Sequence, residues 1–161
     1  MRSGPAATAG LLLALALTSV GCGEEQTVAT PVKAAAPSKP ARSVAPKCRR
    51  LLGEFLDAME SLNNTVAVGL DYDGYLTMVN RVRATYAEVD ADRLPLLCLA
   101  RAASPAEAAL NSFIAAANAW GECLAAGCDL AKVEPKLQRL WARASGELGD
   151  AQTGLRALAS S

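Results

Sequence analysis

A chain of 161 residues favours one domain, and 16 basic against 16 acidic residues leave no net charge. With no basic excess to neutralise phosphates, nucleic acid is excluded as a partner, and net charge alone steers the chain little towards anionic lipid. The absence of histidine removes the commonest general base, the usual transition-metal ligand and any Ser-His-Asp or Cys-His arrangement.

The first residues read as an address. Arg2 gives a positive start, and Ala9 to Leu17 form an uncharged apolar run. That run is too short for a hydrocarbon core of ~30 Å, which takes about 20 residues, so it reads as a secretory signal and not as a membrane span. Ser19-Val20-Gly21-Cys22 follows, and it resembles the lipobox of bacterial prolipoproteins, in which small residues precede an obligatory cysteine. Ser19 stands where that class usually has leucine. The resemblance covers residues 1–22 only. It implies a diacylglyceryl group on the thiol of Cys22 and cleavage between Gly21 and Cys22. Residues 1–21 are then a lipoprotein signal peptide. Removing them takes away Arg2 alone among charged residues and leaves 15 basic against 16 acidic. Two or more acyl chains, at about 0.8 kcal/mol per buried methylene, give stable anchoring without help from charge.

Residues 22–47 form the lipidated cysteine and a tether. Gly23 to Lys47 hold Pro31, Pro37, Pro40 and Pro46, many alanines and no aromatic residue, a composition that predicts a disordered spacer.

Residues 48–161 are helical in pattern almost throughout, with alanine abundant and aromatics only 4% of the chain. Leu51, Leu52, Phe55, Met59 and Leu62 recur at three- and four-residue steps, and Asn63-Asn64-Thr65 is expected to end this first helix. Asp71-Tyr72-Asp73-Gly74 has neither the third oxygen ligand nor the glutamate of a calcium loop, so Asp71 or Asp73 reads as a helix cap. The second helix carries Tyr75, Val79, Val82, Tyr86 and Val89 on one seam. A short helix with Leu96, Leu97 and Cys98 follows, with Pro95 tolerable near its start.

Ser104-Pro105-Ala106-Glu107 has the form of a capping box with proline in the first turn, and predicts a fresh helix. That helix presents Leu110, Phe113, Ala117, Trp120 and Leu124, and Gly127 stops it. The last helix is expected from near Val133, with Leu137, Leu140, Trp141, Ala144, Leu148, Leu155 and Leu158 on its apolar face. Gly146, Gly149 and Gly154 each cost it about 1 kcal/mol relative to alanine, and the favoured reading is a frayed end. The fold class expected is therefore all-α: a small antiparallel bundle of four to five helices, stapled by disulfides.

Cys48, Cys98, Cys123 and Cys128 are an even set in an exported domain. Sequence leaves three connectivities open. In an antiparallel bundle the second helix brings the chain back towards Cys48 before Cys98. That favours Cys48–Cys98, a loop of about 51 residues worth about 4 kcal/mol. A glycine-terminated turn would join Cys123 to Cys128, worth about 2 kcal/mol. The spacing does not match zinc or redox pairs, so no metal and no cofactor is expected. Glu54, Asp57, Glu60, Glu147 and Asp150 fall on polar helix faces, and no catalytic residue is assigned.

Trp120 and Trp141 read as core anchors. The functional expectation is a lipid-anchored envelope protein, outside the cytoplasm on the cell membrane or outer membrane. Its helical domain would be a non-enzymatic module binding an envelope protein or wall component. The alternative is a bundle that holds a small apolar ligand or lipid between its helices, with Ala115, Ala116, Ala117 and Trp120 as lining.

Overall fold

A computed structural model describes residues 41–160, with side chains from Val44 onward. The signal segment, Cys22 and most of the tether lie outside the described residues.

Helix α1 spans Ala41–Val68. It starts seven residues before Cys48, so the last part of the segment read as tether is helical. Val44 and Ala45 explain this, because they continue the apolar face back from Cys48 and pack against the core. Pro46 stands inside the helix. Cys48, Leu52, Phe55, Leu56, Met59 and Leu62 are buried, following the three- and four-residue steps of one face. Asn63-Asn64-Thr65 does not end the helix. The Thr65 hydroxyl donates back to the Ser61 carbonyl at 2.8 Å, inside the helical pattern. Termination falls to Gly69, whose φ of 100° requires glycine and whose N–H donates to the Thr65 carbonyl at 3.0 Å.

Helix α2, Tyr72–Ala87, is capped by Asp71, whose Oδ1 accepts the Gly74 N–H at 2.8 Å. A Cβ at Gly74 would come within 2.9 Å of that oxygen, which explains the glycine in this tetrapeptide. Tyr75, Val79 and Val82 are buried, while Tyr86 is partly exposed and stacks on Phe55 at 5.1 Å.

A single 3₁₀ turn, Ala91–Arg93, and the buried Leu94 lead to Pro95, after which α3 begins, Leu96–Cys98. It runs without interruption through a π-helical turn, Leu99–Ala103, into α4, Ser104–Ala125. The expected capping box is thus absent: Ser104 has helical angles, φ −62° and ψ −48°, and its N–H donates to the Leu99 carbonyl five residues back. The reason lies in Pro105. It has no N–H for the Arg101 carbonyl, and its ring crowds that oxygen in a regular α-helix, so the wider turn passes the proline without breaking the rod.

Helix α5, Leu130–Ser160, starts three residues earlier than Val133 because Asp129 caps it: its Oδ1 accepts the Ala131 N–H at 3.0 Å. Neither Pro135 nor the three glycines end it. Ala151 and Leu158 remain buried, and Gly154 is a contact point with no sign of fraying. A Cβ there would overlap the carbonyl oxygen of Arg101, so α5 crosses the π turn at van der Waals distance.

The four rods close a ring. α1 lies beside α2 and α5, and α4 lies beside α2 and α5. With short connections this is the antiparallel bundle that the pattern predicts. The α4–α5 interface is the most extensive. It is lined by small buried residues such as Ala109, Ala116, Ala144 and Ala151, which let the helix axes approach. Cys48 is bonded to Cys98 with Cα atoms 5.6 Å apart, tying the start of the third rod to α1.

Candidate binding site

The end of the bundle where α1 stops and α5 starts gathers most of the aromatic side chains. Asp71 directs α2 so that Tyr72 and Tyr75 face α4 and α5. Ring centroids then lie 5.6 Å apart for Tyr72–Trp120, 5.9 Å for Tyr75–Trp120, 5.8 Å for Tyr75–Trp141 and 5.9 Å for Trp120–Trp141. Tilted and edge-on contacts at these distances each add about 0.5–1.5 kcal/mol beyond area burial.

Tyr75 is the centre of the cluster. It is fully buried, and its hydroxyl donates to the Phe113 carbonyl at 2.9 Å. Burial pushes its phenol well above the ordinary tyrosine range, an effect that the neighbouring Trp141 indole N–H offsets in part. That N–H stands beside the phenol but makes no well-formed hydrogen bond, and it is buried. Tyr72 rests on Gly121, where any Cβ would overlap its hydroxyl. Tyr86, away from this cluster, also titrates above its ordinary value, through burial first and then the Glu107 carboxylate.

Beside the cluster an open cleft of about 240 Å³ runs between α4 and the first turns of α5. Trp120, Trp141, Leu130, Val133 and Leu137 form its walls, with Glu134 and Gln138 at the polar edge. Leu130 and Leu124 are 46% and 44% exposed at this end, although the sequence pattern places Leu124 on the apolar face. Chemically the cleft suits an apolar or aromatic side chain with a hydrogen-bonding neighbour. The two tryptophans serve both as core anchors and as walls.

The turn leading into the cleft is stapled. Gly127, at φ 61°, ends α4 while the Gly127 N–H donates to the Leu124 carbonyl at 3.1 Å. The Cys128 N–H donates to the Cys123 carbonyl at 3.0 Å. This is a Schellman motif, and the residue pair that usually makes its closing apolar contact is here the disulfide Cys123–Cys128.

The carboxylates of the polar faces are not brought together. Glu147 accepts from the Ser112 hydroxyl at 2.8 Å, and Glu60 accepts from Gln152 at 3.3 Å. Among the described residues no three His, Cys, Asp or Glu side chains form a group able to hold a metal. Ala116 and Ala117 are packed in the core, and neither they nor Ala115 line any of the clefts described here.

A second cleft, of about 500 Å³, lies at the opposite end between the start of α1 and the end of α5. Ala45, Pro46, Leu155, Leu158 and Ala159 line it, with Arg49 and Arg50. Sequence reading missed it by assigning residues 45–47 to the tether. The signal that would have found it is the run Val44, Cys48, Leu52 and Phe55, at helical spacing.

No protein-family model, curated protein or solved structure matches this chain. Among the described residues no helix is long and apolar enough to cross a membrane.

Proposed function

We propose that the chain is an exported envelope protein, held to a membrane by lipid on Cys22, whose disulfide-stapled helical domain is a non-enzymatic binding module. The observation that carries the anchoring is the use of cysteine. Four of the five are consumed in the pairs Cys48–Cys98 and Cys123–Cys128, which leaves Cys22, directly after the apolar run and Gly21, as the odd one. Two disulfides in a small domain, one buried between helices and one on a turn, belong to an oxidising compartment, which supports export. Intact-mass spectrometry of protein extracted from its native membrane tests this. The expected chain begins at Cys22, carries acyl mass and gains four hydrogens on reduction. A chain without lipid, or one with four free thiols, overturns the reading.

The binding role is supported by the aromatic cleft, which leaves apolar side chains of a bound partner a ready surface. Its partner is an envelope protein or wall component that inserts an apolar side chain beside Trp120 and Trp141. A photo-crosslinking residue placed at Leu130 or Glu134 is expected to give a defined adduct in whole cells, and one at the exposed Arg143 none. Equal adducts from all three positions overturn the assignment. A second reading, a small apolar ligand held between helices, is favoured by the larger groove at the other end, which exceeds the ~300 Å³ of an ordinary ligand pocket.

A further inference from the structure

The balanced net charge conceals a polarised molecule. Between Glu25 and Glu54 the sequence holds no carboxylate side chain but six cations, the last three being Lys47, Arg49 and Arg50 on α1. At the end of α5, Arg156 is the only charged side chain after Asp150. The exposed Arg101 joins them, because its backbone is packed on Gly154. The link from α2 to α3 returns to this end with Glu88, Asp90 and Asp92, Asp90 paired to Arg93 at 3.8 Å, so six cations (Lys47, Arg49, Arg50, Arg93, Arg101 and Arg156) stand here against three carboxylates. The opposite end carries Asp71, Asp73, Glu122, Asp129 and Glu134 against Lys132 and Lys136.

The same cationic end is apolar in an unusual way. Arg49 and Arg50 flank the groove of about 500 Å³ that contains Leu155 and Leu158. The Cys48–Cys98 disulfide holds Leu96 and Leu97 against this part of α1, and they are 75% and 52% exposed. Guanidinium groups beside an apolar groove and protruding leucines match an anionic phospholipid, phosphate to arginine and acyl chain to leucine. The chain enters the bundle at this end, at Ala41, fewer than twenty residues after Cys22.

We propose that the end of the bundle formed by the start of α1 and the end of α5 is a docking face for an anionic bilayer. Arg49 and Arg50 take lipid phosphates, and Leu96, Leu97 and the groove at Leu155 and Leu158 take the apolar part of the interface. The setting rests on the reading of Cys22 as a lipid anchor. The anchor keeps the domain at high effective concentration near the surface, so a weak face suffices to seat it. Docked this way, the domain turns its aromatic cleft away from the membrane.

The test uses the mature chain, residues 22–161 with Cys22→Ser, oxidised and without acyl chains, floated with vesicles of phosphatidylcholine alone or mixed with phosphatidylglycerol. Binding to the anionic vesicles only, reversed by salt, is expected. Arg49→Glu with Arg50→Glu is expected to weaken it about tenfold or more, and Leu96→Ser with Leu97→Ser several-fold. Lys132→Glu with Lys136→Glu, at the far end, leaves it unchanged. All of these side chains are solvent-facing, and unaltered circular dichroism checks each fold. Equal partition onto neutral vesicles, or arginine variants that bind as the parent does, overturns the docking face. So does a dimer in ultracentrifugation that the arginine changes dissolve, since a second copy would then be the occupant. The anchor reading fails separately: acyl mass on Cys22 with no vesicle binding sinks only the docking face, and vesicle binding without acyl mass sinks only the anchor.

Discussion

Tyr75 shows how one buried hydroxyl links the core to solution pH. The folded state holds the phenolic proton more tightly than the unfolded chain, whose tyrosine titrates near its ordinary value of 10.0. Above about pH 10 the unfolded chain therefore loses this proton first, and stability falls as pH rises. Tyr75→Phe is expected to cost about 1 kcal/mol at neutral pH, where the bond to the Phe113 carbonyl is lost, and to flatten the alkaline fall. Urea unfolding at neutral and alkaline pH measures both, and a variant with the parent's alkaline slope contradicts the role given to Tyr75. Glycines divide in the same way. Gly146 and Gly149 have open space where a Cβ would go, whereas Gly154 has the Arg101 carbonyl. Gly146→Ala is expected to stabilise by about 0.5–1 kcal/mol and Gly154→Ala to destabilise by about 1–3 kcal/mol. Thermal unfolding of the two variants separates them by sign.

Four helix boundaries are set by local devices of three kinds. α1 ends on a left-handed glycine, α2 and α5 start on aspartate caps, and α4 ends in a Schellman turn whose closing contact is covalent. The two disulfides act over different ranges. Replacing Cys123 and Cys128 together by alanine removes a staple on a turn that hydrogen bonds already hold, and is expected to cost about 2 kcal/mol. Replacing Cys48 and Cys98 frees a far longer loop and is expected to cost about 4 kcal/mol. Chemical denaturation of the two double variants checks the order, and a larger loss from the short loop would contradict the loop-entropy account. Much of this was legible locally: Asp71 before Gly74, Gly127 after the apolar stripe and the three- and four-residue spacing all appear within one or two turns. Ser104 was not, because its residues fit a cap equally well. Only the preceding turn's freedom to widen around Pro105 decides that the rod continues.

At the scale of the molecule the two ends differ in character, one cationic around an apolar groove and the other aromatic and net acidic. Seated by its basic end as proposed, the module would present Trp120, Trp141 and the exposed Leu130 outward. Trp141→Phe removes the buried indole N–H while keeping a ring against Tyr75. It is expected to cost about 1–2 kcal/mol, the space left by the smaller ring being offset in part by the loss of an unbonded donor. Denaturation midpoints check this, and a loss of 3 kcal/mol or more, on the order of that for truncation to alanine, would mean the N–H is in fact well bonded.

The all-α class, most of the buried helix faces (Tyr86 and Leu124 excepted) and the even set of cysteines in residues 48–161 followed from the sequence alone, because periodicity and composition act through neighbours a turn apart. The tertiary structure decided where α1 starts, how the third rod passes Pro105, why Gly154 is glycine, and which side chains meet in the aromatic cluster and the basic groove. Each of those depends on groups from different helices, and only packing sets the distances between them.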